Sequence, residues 1–272
     1  MNSLVSVVIP TYNHAHFLSR ALQSVLDQTY SHWEALVIDN HSQDNTDEVV
    51  NAFGDPRIRL FKIHNHGVIA ASRNLGMREA RGEWIAFLDS DDKWYPNKLQ
   101  RCVALLEAGH DMVCHAETWV WYDGKQKTVT YGPVHNATYH QLLFRKNCIS
   151  TSAVVAKAAT IALVGGFNED LQVVTAEDYD LWLRIAHVTN RFGFLHETLG
   201  EYHIHGGNSS KAILRQWRAE RRVLEIHFQD INPVSMADRF HCWRRMGRLY
   251  ISAAARWLRS GRLSIVGGQK RC

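Results

Sequence analysis

The residues best suited to chemistry in this chain are Asp89-Ser90-Asp91-Asp92, which directly follow the strand-like apolar run 84–88. Carboxylates at the carboxyl end of a strand lie where open α/β sheets bind their ligands. Two carboxylates one residue apart can hold a hard divalent cation, and such a cation commonly bridges protein carboxylates to phosphate oxygens. The pattern therefore predicts a site for a divalent cation and a nucleotide diphosphate. A polar turn that caps the next helix is the alternative interpretation, and the surrounding sequence must decide between the two.

The first hundred residues alternate strand and helix patterns, which predicts the sheet that would position these carboxylates. The predicted strands cover 5–9, 35–38, 58–63 and 84–88, and the predicted helices cover 17–26, 45–53 and 69–80. Thr11, Asp39 and Asp89 all fall at or just after strand ends. Because parallel strands end at one edge of a sheet, we expect these three residues to line one ligand crevice.

The pattern changes after Pro96. A helix reaching Gly109 is followed by strand-like stretches at 112–121 and 127–131, a further strand at 150–155 and a helix at 178–189. Strands follow each other here without a helix between each pair. This half is therefore predicted to be mixed rather than doubly wound.

The segment after residue 210 differs in charge from the rest of the chain. Residues 211–272 contain 14 Lys and Arg against 4 Asp and Glu, whereas residues 1–210 contain 17 against 23. Apolar residues at spacings of three and four form a helical stripe there, with arginines beside or opposite it. The stripe comprises Phe240, Trp243, Met246, Tyr250, Ala254 and Trp257, and the arginines are Arg239, Arg244, Arg245, Arg248, Arg256 and Arg259.

Two interpretations of this tail stay open. It is either a helix packed on its own domain with a solvated basic back, or an interfacial helix whose arginines and tryptophans meet anionic lipid headgroups. Nucleic acid is not expected as a partner, because no recognition motif accompanies the basic residues.

The composition indicates a globular protein. With 272 residues, 46% of them hydrophobic, the chain can bury a full core. No basic segment followed by an apolar stretch stands at the N-terminus, and no run of eighteen apolar residues occurs. We therefore expect neither a signal peptide nor a membrane span. The expected location is the cytoplasm. The five cysteines lack Cys-x-x-Cys spacing, which argues against a zinc site or a disulfide framework.

A series of ordered motifs resembles family 2 glycosyltransferases, the inverting enzymes of GT-A fold. The N-terminal motifs are Val7-Val8-Ile9-Pro10-Thr11-Tyr12-Asn13, Gln28-Thr29-Tyr30, Val37-Ile38-Asp39, Ser42 with Asp44 and Thr46, Asn65-His66-Gly67, Ala71-Ser72-Arg73-Asn74-Leu75-Gly76, Arg81-Gly82-Glu83 and Phe87-Leu88-Asp89-Ser90-Asp91-Asp92. The later motifs are Gly165-Gly166-Phe167-Asn168-Glu169, Glu177-Asp178-Tyr179-Asp180-Leu181-Trp182-Leu183-Arg184 and Tyr202-His203-Ile204-His205 with Asn208 and Ser209. The resemblance spans roughly residues 3–210.

The resemblance implies an α/β protein of GT-A fold. A mostly parallel nucleotide-binding sheet flanked by helices would merge with a mixed acceptor-side half, and C-terminal helices would follow. Residues 1–210 would form the glycosyltransferase domain, with 1–95 binding the nucleotide-sugar and 96–210 the acceptor. Residues 211–272 lie outside the resemblance, and their charge and periodicity predict a basic amphipathic helical tail.

The resemblance also implies a base pocket in the first half. Asp39 would hydrogen-bond the nucleotide base, and the wall of the pocket would come from Pro10, Thr11, Tyr12 and Asn13. A carboxylate that accepts an imide N–H favours uracil or thymine over bases that lack this donor. The implied donor is therefore a UDP-sugar, or a dTDP-sugar.

The diphosphate and metal would lie beside this pocket. By resemblance, Arg73 lies near the diphosphate or base, Asp89 and Ser90 near the ribose or metal, and Asp91 binds the metal directly. The late His205 would lie near the metal or diphosphate, and His203 occupies a place where an arginine is common. The implied cofactor is Mn²⁺ or Mg²⁺, since either suits oxygen ligands and stabilises a leaving nucleoside diphosphate.

Asp178 matches the catalytic base in the Glu-Asp motif of the family. Inversion at the anomeric carbon requires an acceptor hydroxyl to attack opposite the diphosphate while a carboxylate takes its proton, which is typically worth about 10²- to 10⁴-fold in rate. Glu177 and Trp182 would contact the acceptor. From the residues alone, carboxylates at a helix start also suit the helix dipole, and Trp182 also suits a core, so these alternatives stay open.

One position departs from the family pattern. After Asp39 the family usually shows Asp or Asn and then Gly-Ser, whereas this chain has Asn40-His41-Ser42. A left-handed backbone is less favourable for His than for Gly. His41 therefore puts in question whether this loop has the shape that the family pattern implies, and whether it contacts the base.

The leading hypothesis is an inverting, metal-dependent enzyme that moves one sugar from a UDP-sugar to a hydroxyl of a saccharide acceptor. The basic aromatic stretch 239–262 suits a cytoplasmic enzyme that contacts the inner face of the cell membrane and extends a lipid-linked acceptor, in cell-surface polysaccharide or lipopolysaccharide synthesis. A sugar-phosphate nucleotidyltransferase is one alternative, although it would show a glycine-rich signature near the first strand. A non-catalytic nucleotide-sugar or glycan-binding module is the other, and the presence of Asp91 and Asp178 argues against it.

Overall fold

The structure is a computed structural model that describes residues 3–204, 209–231 and 236–266. The first part contains β1 (Val5–Thr11), α1 (Ala15–Leu26), β2 (Trp33–Asp39), α2 (Thr46–Ala52), β3 (Ile58–Lys62), α3 (Ile69–Glu79), β4 (Trp84–Phe87) and β5 (Lys93–Trp94). The second part contains α4 (Lys98–Glu107), β6 (Met112–Trp121), β7 (Gln126–Val129), α5 (Tyr139–Phe144), β8 (Val154–Lys157), α6 (Ala158–Leu163), α7 (Glu177–Val188), β9 (Phe192–Ile204), α8 (Ser209–Asp230) and α9 (Met236–Val266). Short 3₁₀ helices cover Val134–Asn136 and Thr151–Ala153.

One mixed sheet runs through the described residues in the order β3-β2-β1-β4-β8-β6-β9-β5, with β7 paired to β6. The first four strands in this order are parallel to one another, as the alternating pattern predicted. Their side chains alternate between two cores: Val8 packs into one face, whereas Val7 and Ile9 pack into the other. The parallel arrangement brings the carboxyl ends of β1, β2 and β4 to one edge.

The second half is mixed, as predicted. Strand β8 is antiparallel to both β4 and β6, whereas β9 is parallel to β6. The prediction of a strand at 150–155 was wrong in its bounds, because the 3₁₀ helix comes first and β8 begins only at Val154. Strand β9 was not predicted at all, since its sequence mixes polar and apolar residues without clean alternation and its pairing with β6 is interrupted by register shifts.

Helix α3 lies unusually close to the sheet at Gly76. A Cβ atom at this position would lie 2.5 Å from Cγ1 of buried Val8 on β1. Any other residue here would have to displace the buried Val8 side chain. The close packing sets the height of α3, and therefore of Arg73, above the strand ends.

Helices α8 and α9 form a pair against the second half. Val223, Leu224 and Leu249 are buried in the same hydrophobic core as Leu181 of α7. The division of the chain at residue 210 remains a prediction, but the tail is packed on the domain over much of its length. No helix in the described ranges is long and apolar enough to cross a membrane.

The predicted apolar stripe of α9 is not its buried face. Arg245, Leu249 and Ala253 are buried, whereas Trp243 is 73% exposed and Trp257 55% exposed. The sequence leaves open whether this helix packs on the domain or meets an interface, and the structure shows a packed face beside an exposed aromatic one. The periodicity identified an amphipathic helix, but the helix is rotated so that much of its aromatic surface faces outward.

Candidate active site

Three strand ends meet at a cavity of about 370 Å³. Thr11 of β1 stands opposite Asp39 of β2 in register, and Leu88 N donates to Val8 O just after β4. Predicted residues line this cavity, namely Pro10, Thr11, Tyr12, Asp89, Ser90 and Asp91. The structure thus brings together residues that are up to 81 positions apart in sequence. Tyr12 is half exposed, so its ring offers a surface to a flat ligand.

Asp39 lies behind this cavity rather than in its lining. Its side chain is fully buried, and it accepts hydrogen bonds from Lys62 Nζ at 2.7 Å and from the Ser42 backbone N at 3.1 Å. Asn13 is also absent from the described lining, and it holds the loop instead: its N donates to Ser42 Oγ and its Oδ1 accepts from Gln43 N. Both residues therefore shape the pocket wall in this structure.

His41 adopts the left-handed backbone that the departure from the family pattern placed in question. Its φ is 54°, so the loop keeps the conformation that a glycine would favour. The imidazole stacks on His64 with ring centroids 3.7 Å apart and planes 15° apart. This stacking gives His41 a contact that glycine could not make.

Arg73 joins the two halves of the site. Its side chain is 4% exposed, and it donates to Asp89 Oδ1 at 2.7 Å and to Glu177 Oε1 at 2.8 Å. Burial alone would lower the pKa of Arg73, but the charges of Asp89 and Glu177 outweigh this and raise it. The guanidinium therefore stays charged and fixes the start of α7 against the end of β4.

Asp92 is a structural carboxylate that the sequence motif did not separate from its neighbours. It is buried, accepts from Ser152 Oγ at 2.5 Å and from His203 N at 2.9 Å, and so ties the loop after β4 to β9. Burial, together with the charges of Asp91 and Asp89, raises its pKa. His203 is linked to this network through its backbone, while its ring contacts Glu201.

Asp89 and Asp91 offer the donor set for a divalent cation. Both line the cavity with carboxylate oxygens, which hard cations prefer, although Asp89 also accepts from Arg73. Groups of three or more His, Cys, Asp or Glu arranged to hold a metal ion do not occur in the described part of the chain. His205 lies outside the described residues. The two carboxylates therefore suit a cation that takes its remaining ligands from a diphosphate and water.

Asp178 lines a second cavity of about 450 Å³, together with Arg73 and Asp89. Its Oδ2 accepts from Thr151 Oγ1 at 3.0 Å, and its Oδ1 accepts from Tyr179 N at 2.7 Å. Burial and the neighbouring charge of Glu177 raise the pKa of Asp178 to about 6, against the opposing effect of Arg73. A carboxylate with this pKa is ionised at neutral pH and basic enough to accept a proton.

The backbone beside Asp178 is strained. Thr175 has a φ of 89°, which is rare for a β-branched residue, and its N donates to Glu177 Oε2 at 2.7 Å. Such outliers cluster at functional sites, where surrounding contacts hold them. Glu177 is thus fully engaged by Arg73 and Thr175, which suits positioning of α7 better than contact with an acceptor.

The expected acceptor role of Trp182 is corrected by its burial. Its side chain is fully buried against Phe87 and Phe167, so no ligand can reach it. Three aromatic residues do line the cavity: Tyr131, and the pair Trp119 and Tyr202, whose ring centroids lie 5.5 Å apart. Trp119 and Tyr202 are register partners on β6 and β9, so the unpredicted strand β9 is what brings them together.

A larger cavity of about 690 Å³ lies elsewhere, between α3 and α6. Its lining is mostly apolar, with Met77, Ile161 and Phe167, and contains none of the predicted site residues. The two smaller cavities hold the carboxylates, the arginine and the aromatic side chains. We therefore take them together as the candidate active site.

Comparison with known proteins identifies the family. The profile described as "Glycosyl transferase family 2" matches residues 6–161. The chain belongs to this family. The match covers the strand-end cavity and reaches into α6, whereas Asp178 and the helices α8 and α9 lie beyond it.

Curated relatives of this chain are named as glycosyltransferases. One is the "UDP-Glc:alpha-D-GlcNAc-diphosphoundecaprenol beta-1,3-glucosyltransferase WfgD" of Escherichia coli, 34% identical over 79% of this chain and 84% of the relative. Another is the "Putative teichuronic acid biosynthesis glycosyltransferase TuaG" of Bacillus subtilis (strain 168), 27% identical over 83% of this chain and 90% of the relative.

Solved structures share the fold of the glycosyltransferase. S. aureus TarS 1–349 in complex with UDP aligns with a TM-score of 0.67 at 18% identity, over 90% of this chain and 70% of that one. Mannosyltransferase PcManGT from Pyrobaculum calidifontis, in complex with GDP-Man and Mn²⁺, aligns with a TM-score of 0.61 at 16% identity, over 95% of this chain and 88% of that one. The GT-A fold predicted for the sequence is thereby confirmed.

Removal of Arg73 is expected to destabilise the glycosyltransferase strongly. Arg73→Leu leaves buried Glu177 without its cation, and loss of one partner from a buried ion pair costs about 3–5 kcal/mol. Urea denaturation measures the free energy of unfolding. The control is Arg101→Leu, which breaks the half-exposed pair with Glu197 and should change stability little. Equal, small losses in both variants would contradict the role given to Arg73.

Proposed function

We propose that this glycosyltransferase moves one sugar from a UDP-sugar to a hydroxyl of a saccharide acceptor, with inversion and with a divalent cation. The observation that carries the proposal is the shared cavity of Asp178, Arg73 and Asp89, directly beside the strand-end cavity. A proton acceptor thus lies next to a diphosphate site. The names of the curated relatives support cell-surface polysaccharide or lipopolysaccharide synthesis as the setting.

Residues 1–95 supply the donor site in this proposal. The base lies against Tyr12 in the cavity lined by Pro10 and Thr11, with Asn13 and Asp39 holding the wall, and Asp39 is the carboxylate that would accept an imide N–H. A dTDP-sugar fits the same recognition, because thymine carries the same imide. TarS structures contain UDP and UDP-GlcNAc, which supports a uridine nucleotide as the first donor to test.

A divalent cation, Mn²⁺ or Mg²⁺, would be held by Asp91 with Asp89 and Ser90 nearby, and His205 is the further ligand that the family resemblance implies. When bound, the cation stabilises the negative charge of the leaving nucleoside diphosphate. Arg73 adds a fixed positive charge at the same end of the site. The Mn²⁺ in the PcManGT structure supports this proposal.

Asp178 is the catalytic base in this proposal, and residues 96–210 supply the acceptor site around it. Thr151 and Tyr179 N hold the carboxylate in position, and the acceptor hydroxyl loses its proton to Asp178 as it attacks the anomeric carbon. Trp119 and Tyr202 offer an apolar surface to the acceptor sugar. Glu177 acts through Arg73 and Thr175 rather than on the acceptor.

We also propose that α9 contacts an anionic membrane surface at the inner face of the cell membrane, where a lipid-linked acceptor would be found. Apolar side chains on its outer face are exposed, with Trp243 at 73% and Ile251 at 72%. Arg239 and Arg244 lie on the same helix and are exposed. Exposed aromatic and aliphatic residues flanked by arginines suit the interface of an anionic bilayer.

Donor recognition is tested by thermal shift with UDP, GDP, dTDP and CMP, each with and without Mn²⁺. A ligand that binds only the folded protein raises the free energy of unfolding by mass action, by about 2.7 kcal/mol at a hundred times its Kd, and so raises the unfolding midpoint. For the wild-type protein we expect a Mn²⁺-dependent rise in the midpoint with UDP and dTDP alone. This rise should be smaller in Asp39→Asn, and in Asp91→Ala it should no longer depend on Mn²⁺. Asp123→Ala, on an exposed turn, is the control. An absence of any nucleotide shift in the wild-type protein would sink the proposal.

Replacement of Asp178 by Asn is expected to stop transfer while UDP binding persists. The loss in kcat should be about 10²- to 10⁴-fold, and the wild-type kcat/KM should rise with pH around an apparent pKa of about 6 as Asp178 ionises. The raised folded-state pKa means that the fold favours the neutral carboxyl, so stability from this group is lost as pH rises through about 6. Asp178→Asn should therefore be no less stable at pH 7. UDP binding without turnover in the wild-type protein would instead indicate a non-catalytic binding module.

Membrane contact is tested by sedimentation with vesicles that contain phosphatidylglycerol. The double variant Trp243→Gln/Ile251→Gln should bind these vesicles roughly tenfold more weakly, because both side chains bury apolar surface at the interface. The control is Leu163→Gln/Leu171→Gln, whose leucines are 73% and 70% exposed elsewhere on the surface. Equal binding by the two double variants would rule out α9 as the contact.

A further inference from the structure

A groove lined by cations extends from Asp178 onto α9. Its volume is about 550 Å³, and its lining runs from Thr175, Asp178 and Tyr202 to Ser252 and Arg256. The residues Asn147, Thr175, Asp178, Tyr202 and Gln216 line both this groove and the cavity with Arg73 and Asp89. The groove is therefore continuous with the place where the acceptor hydroxyl must lie, on the side away from the strand ends.

The groove carries an excess of positive charge. Five cationic side chains line it, against the carboxylates of Asp178 and Glu220: Arg145, Lys146, Arg245, Arg248 and Arg256. Arg245 is committed to the fold, since it is buried and donates to Glu220 Oε1 at 2.6 Å and to Leu143 O at 3.2 Å. The Glu220 charge is thus neutralised within the groove wall.

The other four cations have no carboxylate partner among the described residues. Arg248, Ser252 and Arg256 are spaced at four residues and share one face of α9. Within the described part of the chain, the guanidinium of Arg256 donates to two neutral oxygens, on Ser252 and Gln216, each at 3.4 Å. Unpaired cations gathered along a concave surface attract an anion, and guanidinium groups match phosphate oxygens in two-point contacts.

We propose that this groove binds a diphosphate that belongs to the acceptor, so that the acceptor is a sugar joined through a diphosphate to a lipid. The inference rests on the proposed function, because it places the acceptor sugar between Asp178 and the groove. The donor diphosphate has its own site at Asp89 and Asp91, on the other side of the reacting centre. A neutral glycan would leave the four cations without a counter-charge.

The position of α9 also gives the lipid part of the acceptor a path out of the groove. Arg248 and Arg256 face the groove, whereas Trp243 and Ile251 on the same helix are exposed on its outer surface. A chain attached to the distal phosphate can leave the groove along α9 toward the surface that these apolar side chains contact. One helix then recognises the charged link of the acceptor with one face and the bilayer with another.

Geranyl diphosphate is the probe that tests this groove. Isothermal titration is carried out with the donor cavity saturated by UDP and a stoichiometric amount of Mn²⁺, so that the probe cannot occupy the donor site. The variant Arg248→Gln/Arg256→Gln is expected to bind geranyl diphosphate at least tenfold more weakly than the wild-type protein. The control, Arg215→Gln/Arg218→Gln, removes the same charge from exposed positions on α8 outside the groove and should change the affinity less than twofold.

The outcomes separate this inference from the proposed function. UDP affinity, measured in the same samples, reports on the donor site alone and should be equal in all three proteins. Equal loss of geranyl diphosphate binding in both double variants, or none in either, would overturn the groove assignment while the donor site stands. If Arg248→Gln/Arg256→Gln lost affinity for soluble dihexanoyl phosphatidylglycerol as much as for geranyl diphosphate, the groove would be assigned to lipid headgroups. That result would also overturn the diphosphate assignment. Absence of UDP binding in the wild-type protein would reject the proposed function itself.

Discussion

The buried guanidinium of Arg73 is the contact on which the rest of the site depends. It comes from α3, which Gly76 allows to lie close to β1, and it binds one carboxylate at the end of β4 and another at the start of α7. The strand end that carries Asp91 and the helix that carries Asp178 are therefore held by one charged group. Because its partners lie 16 and 104 residues away in sequence, the interaction exists only when both halves of the fold are assembled.

The same group sets the electrostatics of the reaction. Burial and Glu177 raise the pKa of Asp178, and Arg73 opposes them, so the carboxylate is ionised near neutrality, as the proposed role of a base requires. Asp92, only one residue from Asp91, is instead buried and hydrogen-bonded to Ser152 and His203 N. Adjacent carboxylates of one motif thus take different tasks, because one faces the cavity and the other faces the protein.

The charged groups follow one another in space, from the strand ends to the groove, in an order that fits the proposed reaction. Carboxylates at the strand ends suit a metal-bound diphosphate, a carboxylate of raised pKa lies between the two cavities, and unpaired arginines line the groove on the far side. Helix α9 has three faces: one packs on the domain, one lines the groove, and one is exposed and apolar. The fold therefore has the separate cavities that the proposals need for a donor diphosphate, a reacting hydroxyl and a charged, lipid-bearing acceptor.

The amino-acid sequence by itself determined the parallel sheet, the strand-end location of Asp89 and Asp91 and the family, because these depend on local periodicity and on motifs of adjacent residues. It also marked Asp178, although a helix-capping carboxylate would have looked the same. Only the tertiary structure decided that Asp39 lies behind the pocket, that Trp182 belongs to the core and that Trp119 pairs with Tyr202. It also decided which face of α9 is buried. These properties depend on which distant surfaces meet, and hydrophobic periodicity shows that a face is apolar without showing what covers it.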